Sequence, residues 1–186
     1  MSTSEIQRAR DLLASADLIH SEQAVAAAVT RVAGEITAKL SETHPLVLCV
    51  MSGGVPFAGQ LITQLLFPLD FDYLHVTRYG QDTSGGALSW RAAPWTPVKG
   101  RTVLLLDDIL DEGHTLAAII DYLKGEGARE VFSAVLVHKV HERKAYPGMR
   151  ADFTGLDVAD RFLFGGGMDY KGYWRNANGI YAVKGL

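Results

Sequence analysis

The sequence predicts an α/β domain in which helices flank a central, mostly parallel sheet. From Leu46 to His138, short apolar runs of strand length alternate with stretches whose apolar residues recur at helical spacing. Some of these runs, such as Val103 to Leu106, are apolar at every position, which is typical of strands buried on both faces of a parallel sheet. No repeat or linker divides the chain. We therefore expect one domain over residues 1–186, with its core at about 42–140.

The composition is that of an ordinary globular chain. Its 186 residues are enough for a full hydrophobic core, and no apolar run approaches the roughly 20 residues that span a bilayer. The first residues lack a basic start followed by an apolar core, so we expect no signal peptide and no membrane partner. Cys49 is the only cysteine, which excludes an intrachain disulfide and favours a cytoplasmic protein. The net charge of −3 gives no reason to expect a nucleic acid as partner.

The N-terminal part predicts two helices. Residues 4–16 form a short arm with one apolar side. Ser21 is a plausible N-cap for a longer helix that runs to about Leu40, because valine, isoleucine and leucine recur along one of its faces.

A strand, a helix and a second strand follow. Residues 46–51 read as a buried strand and residues 52–54 as a turn. Pro56 suits the first turn of a helix that we expect to run to about Leu66. Aromatic and β-branched residues at 71–78 predict the second strand.

Residues 79–99 show no periodicity. The segment contains glycines, prolines, serines and two tryptophans, Trp90 and Trp95, and it is too long for an ordinary connection. It is therefore either disordered or a functional lid over a site. The tryptophans either pack in an interface with a partner or cover the closed site, and the sequence leaves both possibilities open.

The strand at 103–106 leads into a motif that predicts a binding site. Asp107 and Asp108 stand at its carboxyl end, the edge at which ligands bind in open α/β sheets. Asp111, a glycine and Thr115 follow, and then a helix begins. A glycine-containing loop at a helix N-terminus suits a phosphate, whereas ionised carboxylates accept hydrogen bonds from hydroxyls or bind a metal. The motif therefore predicts a ligand with both parts, such as a ribose phosphate.

The last part of the chain is less regular. Residues 130–138 predict a fourth strand, and the charged run after Lys139 is loop-like. From residue 153 onward only short strand-like pieces occur. We expect the N-terminal arm and residues 150–186 to form a small hood on the core.

Several motifs, in order, resemble the type I phosphoribosyltransferases. LLLDDILDEGHT is similar to the family's phosphoribosyl-diphosphate signature, and LCVMSGG to its first loop, which grips the diphosphate. VTRYGQDTSGG resembles the start of the mobile flap in the hypoxanthine-guanine branch, which implies that residues 79–99 form this flap. LVHK, DRFLFGGGMDY and KGYWRN resemble that branch's purine-binding and C-terminal segments. The resemblance covers nearly all of the chain after about Ser21 and implies the type I phosphoribosyltransferase fold.

This resemblance implies a purine salvage enzyme. It would convert hypoxanthine or guanine and the donor 5-phosphoribosyl 1-diphosphate (PRPP) into a nucleotide and diphosphate, with Mg²⁺ as cofactor, and it would form a homodimer or homotetramer. Alternatives are a xanthine-preferring transferase and a regulatory protein that kept the fold but binds RNA or a protein. A receiver-type signalling domain also contains LLLDD, but LCVMSGG lacks the acids that such a domain needs after its first strand.

The resemblance also implies roles for the donor half of the site. Asp107 and Asp108 would bond the ribose hydroxyls, directly or through magnesium, and Asp111 would accept the proton at purine N7. The other implied donor-binding residues are Ser52, Gly53, Arg78, Tyr79, Glu112, Gly113, His114, Thr115 and Arg175. Ser52, Glu112 and His114 depart from the family pattern. Some relatives carry a lysine at position 52, the commoner pattern has a threonine at 112, and a lysine often stands at 114. Ser52-Gly53 fits either a cis peptide or an ordinary tight turn.

For the base, the resemblance implies that Lys139 donates to the 6-oxo group. This would reject adenine, whose amino group does not accept from an ammonium. Phe162 would stack on the base beside Leu163, although Phe164 is a competing choice. The implied magnesium ligands are Asp107, Asp108 and Asp169. The alternative without a binding role is that Lys139 and Arg175 are surface charges and Asp169 caps a turn.

Overall fold

The computed structural model describes residues 3–78 and 88–185. Its elements in chain order are α1 (Thr3–Ser15), β1 (Asp17–His20), α2 (Glu22–Leu40), β2 (Leu46–Val50), α3 (Val55–Ile62), β3 (Asp70–Arg78), β4 (Leu88–Ala92), β5 (Thr102–Leu110), α4 (His114–Gly125), β6 (Glu130–Val140), β7 (Phe153–Ala159), β8 (Leu163–Phe164) and β9 (Ile180–Ala182). Within these two ranges, no helix combines the length and hydropathy that crossing a membrane requires.

Six strands form the main sheet in the order β4-β3-β2-β5-β6-β7. All neighbouring strands are parallel except β4, which lies antiparallel to β3 at the edge. The chain runs outward from β2 to β3 and returns to β5 on the other side of β2. The strand order thus reverses between β2 and β5, and this is the place where open α/β sheets bind ligands.

Helices cover both faces of the sheet, as predicted. α2 and α3 pack on one face and α4 on the other. Along β5, Leu104 and Leu106 point toward α2 and α3, while Val103 and Leu105 point toward α4. All four side chains are fully buried. The prediction of a strand buried on both faces is therefore confirmed.

α2 has the predicted bounds, and its cap explains them. The hydroxyl of Ser21 accepts a hydrogen bond from the backbone N–H of Ala24 at 3.3 Å, which satisfies one of the free donors of the first turn. The apolar stripe of α2, including Val29 and Ile36, is fully buried against the sheet.

A second sheet of three antiparallel strands, in the order β1-β9-β8, joins the two ends of the chain. We call it the hood sheet. The indole N–H of Trp174 donates to the carbonyl of Ala9 in α1 at 2.7 Å, and Arg161 pairs with Asp17 at 2.9 Å. The sequence patterns did not indicate β1, because four residues are too few to show a period.

The hood was predicted to begin too early. Residues 153–159 form β7, the last strand of the main sheet, rather than part of the hood. Gly155 lies in the middle of this strand, and a Cβ atom added there would lie 2.5 Å from the carbonyl oxygen of Leu136. Glycine therefore permits close approach to β6, and it also interrupts the alternation by which a strand is recognised.

Part of the predicted flap is an edge strand. β4 pairs antiparallel with β3, with Thr77 opposite Ser89. The ring of Trp90 lies 4.4 Å from the ring of Tyr122 in α4, so Trp90 packs within the chain, whereas Trp95 is 93% exposed. Residues 79–87 of the predicted flap lie outside the described residues.

Candidate active site

The loops that follow β2 and β5 meet at the switch point of the sheet. The peptide bond between Met51 and Ser52 is cis. At the next residue, Gly53, an added Cβ would overlap the carboxyl group of Asp108, and at Gly167 an added Cβ would overlap the carbonyl oxygen of Gly53. Glycine at both positions thus allows the first loop, β5 and the segment after β8 to be in direct contact.

Asp107 and Asp108 lie within β5 rather than at its end. The strand runs on to Leu110, so both carboxylates project from regular strand backbone, and the prediction that these two acids end the strand was wrong. The regular backbone continues because Asp107, Ile109 and Leu110 pair with β6. Oδ1 of Asp107 accepts a hydrogen bond from the backbone N–H of Asp108 at 2.9 Å.

The pKa values of both carboxyl groups lie above their ordinary value. Burial raises the pKa of Asp107 well above its ordinary value, and the charge of Asp108 adds to the effect. Burial also raises the pKa of Asp108, although the guanidinium of Arg175 opposes the shift from 3.9 Å. Hydroxyl donors or a cation would relieve this unfavourable charge.

A cavity of about 330 Å³ lies beside the two carboxyl groups. Its lining consists of Asp107, Asp108, Ile109, Asp111, Glu112, Gly113, His114, Thr115 and Leu116. Gly113 precedes α4 in a left-handed conformation with φ of 85°, and an added Cβ would overlap the sulfur of Met149. Since the N-terminus of α4 opens into this cavity, its free backbone N–H groups favour an anion there. Nε2 of His114 lies 3.8 Å from Oε2 of Glu112, and both side chains are partly exposed.

Asp111 is held by hydrogen bonds to two side chains. Nζ of Lys139 lies 2.8 Å from its Oδ2, and Nε2 of His141 lies 2.7 Å from its Oδ1. Partial burial of Asp111 opposes ionisation, but the hydrogen bonds from Lys139 and then His141 outweigh it, so the pKa of Asp111 lies below its usual value. Lys139 is only 11% exposed, which contradicts the interpretation of a surface lysine.

Lys144 fixes the backbone around this cluster. Its ammonium donates to three carbonyl oxygens, those of Leu110 at 3.3 Å, Asp111 at 2.5 Å and Lys139 at 2.6 Å. The end of β5 is thereby tied to the end of β6. Burial lowers the pKa of Lys144.

A second cavity, of about 220 Å³, adjoins the first. It is lined by Asp108, Ile109, Asp111, Lys139, Phe162, Leu163, Met168, Asp169 and Arg175. Phe162 is 47% exposed and meets Tyr170 edge to face, with ring centroids 5.3 Å apart. Phe164 is fully buried and stacks on Tyr181 instead. Of the two phenylalanines, only Phe162 is therefore available to a ligand.

Asp169 and Arg175 form an ion pair at the rim of the second cavity. Asp169 also accepts a hydrogen bond from the backbone N–H of Gly172 at 2.7 Å, so it caps a turn, as the alternative without a binding role predicted. Arg175 donates to the carbonyl of Gly167 at 2.7 Å. The guanidinium lies between Asp108 and Asp169 in this network, with contacts to both acids.

Among the described residues, Asp107, Asp108 and Asp169 do not form a preorganised cluster of three metal ligands. The cluster that does satisfy such a criterion is Asp111, His141 and Asp160. There, however, the ammonium of Lys139 contacts both acids, at 2.8 and 3.6 Å. The ammonium of Lys139 already compensates negative charge in this cluster, so a metal cation would have to displace it.

Comparison with known proteins shows the family to which the chain belongs. The family model for the phosphoribosyl transferase domain matches residues 15–165. The chain belongs to the phosphoribosyltransferase family. It is 33% identical over 165 residues to the hypoxanthine-guanine phosphoribosyltransferase of Bacillus subtilis (strain 168), which covers 88% of this chain and 91% of the relative.

Solved structures agree with this assignment. A hypoxanthine-guanine phosphoribosyltransferase from Bacillus anthracis superposes with a TM-score of 0.84 at 25% identity, over 90% of this chain and 98% of the other. A protein named hypoxanthine-guanine-xanthine phosphoribosyltransferase superposes with a TM-score of 0.81 at 26% identity, over 90% and 96% of the two chains.

The structure of this phosphoribosyltransferase brings most of the predicted site residues together. The lining of the two cavities contains all of them except Ser52, Gly53, Arg78 and Tyr79. Gly53 abuts Asp108, Arg78 is the last residue of β3, and Tyr79 lies outside the described residues. Sequence reasoning missed His141, Lys144 and Asp160. Their only signal was the charged character of the run after β6, which does not indicate which charges turn inward.

Proposed function

We propose that this phosphoribosyltransferase transfers the phosphoribosyl group of PRPP to hypoxanthine or guanine, giving a nucleotide and diphosphate. The observation that carries the proposal is the pair of adjacent cavities, which share Asp108, Ile109 and Asp111 as a common wall. One cavity has the chemistry for a sugar phosphate and the other for a planar base. The names of the similar proteins support the same pair of substrates.

The donor would occupy the first cavity and the loop after β2. Its 5′-phosphate would lie at the N-terminus of α4, where Gly113 and Thr115 provide backbone N–H groups and a hydroxyl. Its ribose hydroxyls would donate to Asp107 and Asp108, whose burial leaves their charge poorly solvated without a ligand. Glu112 contributes through its backbone, because its carboxylate would repel a phosphate.

The base would occupy the second cavity. Phe162 offers an exposed ring for stacking beside Leu163, and Lys139 offers an ammonium for the 6-oxo group. To reach the base, Lys139 must release Oδ2 of Asp111. That oxygen then becomes free to accept the proton at N7.

The chemistry follows from this arrangement. N9 of the base forms a bond to C1′ of the ribose as the bond from C1′ to the diphosphate oxygen breaks, and the bonding electrons leave with diphosphate. The base becomes positively charged, and its N7 proton passes to Asp111. A carboxylate in this position also stabilises positive charge at C1′ electrostatically.

The cofactor that fits this site is Mg²⁺. Magnesium prefers oxygen ligands and is usually held by one or two carboxylates together with substrate phosphates. The buried, poorly compensated carboxyl groups of Asp107 and Asp108, with Asp169 at the rim, suit that mode, and it needs no preorganised three-ligand cluster. When bound, the ion would neutralise the charge of the leaving diphosphate.

A spectrophotometric assay tests the proposal. The protein should form nucleotide from PRPP with hypoxanthine or guanine but not with adenine, and a chelator should abolish the reaction until Mg²⁺ is restored. Xanthine belongs in the same assay, because one similar structure is named for all three bases. Absence of product with every 6-oxopurine would overturn the proposal in favour of a regulatory protein with this fold.

A further inference from the structure

We propose that His141 is a positioning residue that holds the Asp111 carboxylate in the orientation from which it receives the purine proton. This inference rests on the proposed function. His141 lies on the loop after β6, and its side chain is only 5% exposed. Its role follows from three features of its surroundings.

The first feature is the protonation pattern of the imidazole. The backbone N–H of Arg143 donates to Nδ1 of His141 at 3.1 Å, so Nδ1 must act as an acceptor. A neutral imidazole that accepts at Nδ1 carries its proton at Nε2. Nε2 is the atom that lies 2.7 Å from Oδ1 of Asp111. The loop backbone therefore selects the tautomer that donates to the carboxylate.

The second feature is the division of the carboxylate between two partners. Lys139 occupies Oδ2 and His141 occupies Oδ1. Lys139 must turn to the base when substrate binds, and Oδ2 then receives the proton. Without His141, no side-chain hydrogen bond among the described residues would then fix the rotation of the carboxylate. Either of its oxygens could face N7, and the geometry of the proton transfer would be less well defined.

The third feature is the rest of the surroundings of Asp111. Lys144 binds its backbone carbonyl rather than its side chain. Asp160 lies near the carboxylate but is itself paired with Arg143 at 2.8 Å and with Lys139 at 3.6 Å. Once Lys139 has moved, His141 is thus the remaining side-chain donor to Asp111 among the hydrogen bonds of the described residues.

Three variants at one position test this role. In His141→Gln the amide nitrogen can take the place of Nε2, whereas in His141→Asn the amide reaches only as far as Nδ1. His141→Leu removes both polar atoms. We expect Asn and Leu to lower the single-turnover rate with hypoxanthine by roughly tenfold, the effect of one hydrogen bond to a charged group, and Gln to restore most of it. The affinity for PRPP should be unchanged in all three.

The pH profile supplies a readout that a purely structural role would not move. Because the hydrogen bond from His141 helps to keep Asp111 ionised, the acidic limb of the single-turnover rate should shift to higher pH in the Asn and Leu variants but not in Gln. Thermal unfolding of each variant identifies any that does not fold. If Leu does not fold, the comparison between Gln and Asn decides.

The results separate this inference from the function on which it rests. If the unmodified protein forms no nucleotide, the proposed function fails. If it is active but Asn and Leu match its rate and pH profile, or if Gln and Asn fall equally with no shift of the acidic limb, the role of His141 is overturned.

Discussion

Nζ of Lys139 lies 2.8 Å from Oδ2 of Asp111, so the residue that would recognise the purine oxygen is paired with the residue that would accept the purine proton. The two functional groups satisfy one another in this arrangement. On the proposed function, a 6-oxopurine would separate them, and the oxygen of the base would replace the carboxylate as the partner of the ammonium. Recognition of the base and release of the acceptor would thus be a single event.

Removal of the ammonium tests this coupling. We expect Lys139→Ala to raise the KM for hypoxanthine by roughly tenfold to a hundredfold, because a hydrogen bond to a charged group is lost. Lys39→Ala is the control, since Lys39 lies on α2 over the ring of Phe132, away from both cavities. Steady-state kinetics with each base provide the measurement, and an unchanged KM in Lys139→Ala would remove this lysine from recognition.

Replacement of Asp107 should improve stability while it impairs function. When the pKa of a carboxyl group is higher in the folded than in the unfolded protein, ionisation of the group lowers the free energy of unfolding, and this stability is lost as the pH rises through the folded pKa. Asp107→Asn has no carboxyl group to ionise and avoids this loss. We therefore expect a higher unfolding midpoint at neutral pH, by about 2–4 °C for each 1 kcal/mol gained.

The same variant should bind PRPP at least roughly tenfold more weakly, since it loses a charged acceptor for the ribose. Differential scanning fluorimetry without ligand and calorimetric titration with PRPP measure the two effects. At acidic pH, where Asp107 is protonated in both states, the stability advantage should vanish. A midpoint below that of the unmodified protein at neutral pH would contradict the account of Asp107.

Two glycine substitutions with opposite expected effects test the packing of the first loop. Gly53→Ala places a methyl group into the carboxyl of Asp108 and should destabilise the protein by about 1–3 kcal/mol while weakening PRPP binding. Gly34→Ala, in α2, has open space around its added Cβ and should be neutral or stabilising by up to about 1 kcal/mol. Denaturant unfolding compares them. Equal stability of the two variants would show that the contact between Gly53 and Asp108 is not tight.

The single thiol should be unreactive in the folded protein. Burial, followed by the nearby charges of Asp107 and Asp108, raises the pKa of Cys49 to about 12. Since the thiolate is the reactive form, a charged disulfide reagent at pH 8 should label Cys49 only as fast as the protein opens, and it should label one thiol per chain at once in denaturant. Rapid labelling under native conditions would show that the layer beneath the site is accessible.

The local parts of the fold and site were predictable from sequence. The four apolar residues at 103–106 and the acids that follow form one continuous segment. Its burial pattern, and the location of the acids toward the carboxyl end of the strand, could therefore be read directly. The same holds for Ser21 as the cap of α2. The resemblance added Lys139 and Phe162, and the structure places both beside Asp111 in one cavity.

Features that depend on tertiary contact were not predictable. Gly155 interrupts the apolar pattern of β7, so the strand is not recognisable from sequence. The glycine is needed for close approach to a carbonyl of β6, and that contact is distant in sequence. His141 stands in a charged loop, and nothing in the order VHERK distinguishes an imidazole that turns inward from one in solvent. The pairing of Lys139 with Asp111 is likewise invisible, because the two residues belong to different strand ends.

The three carbonyl contacts of Lys144 have a consequence for mutational tolerance. Backbone carbonyls are present whatever side chain stands at positions 110, 111 and 139, so the anchor does not depend on those residue types. The requirement falls on position 144 alone. An ammonium directs three donors tetrahedrally, whereas the planar fork of arginine does not, so even arginine is a poor replacement. In a saturation library, position 144 should therefore accept fewer substitutions than an exposed lysine such as Lys124.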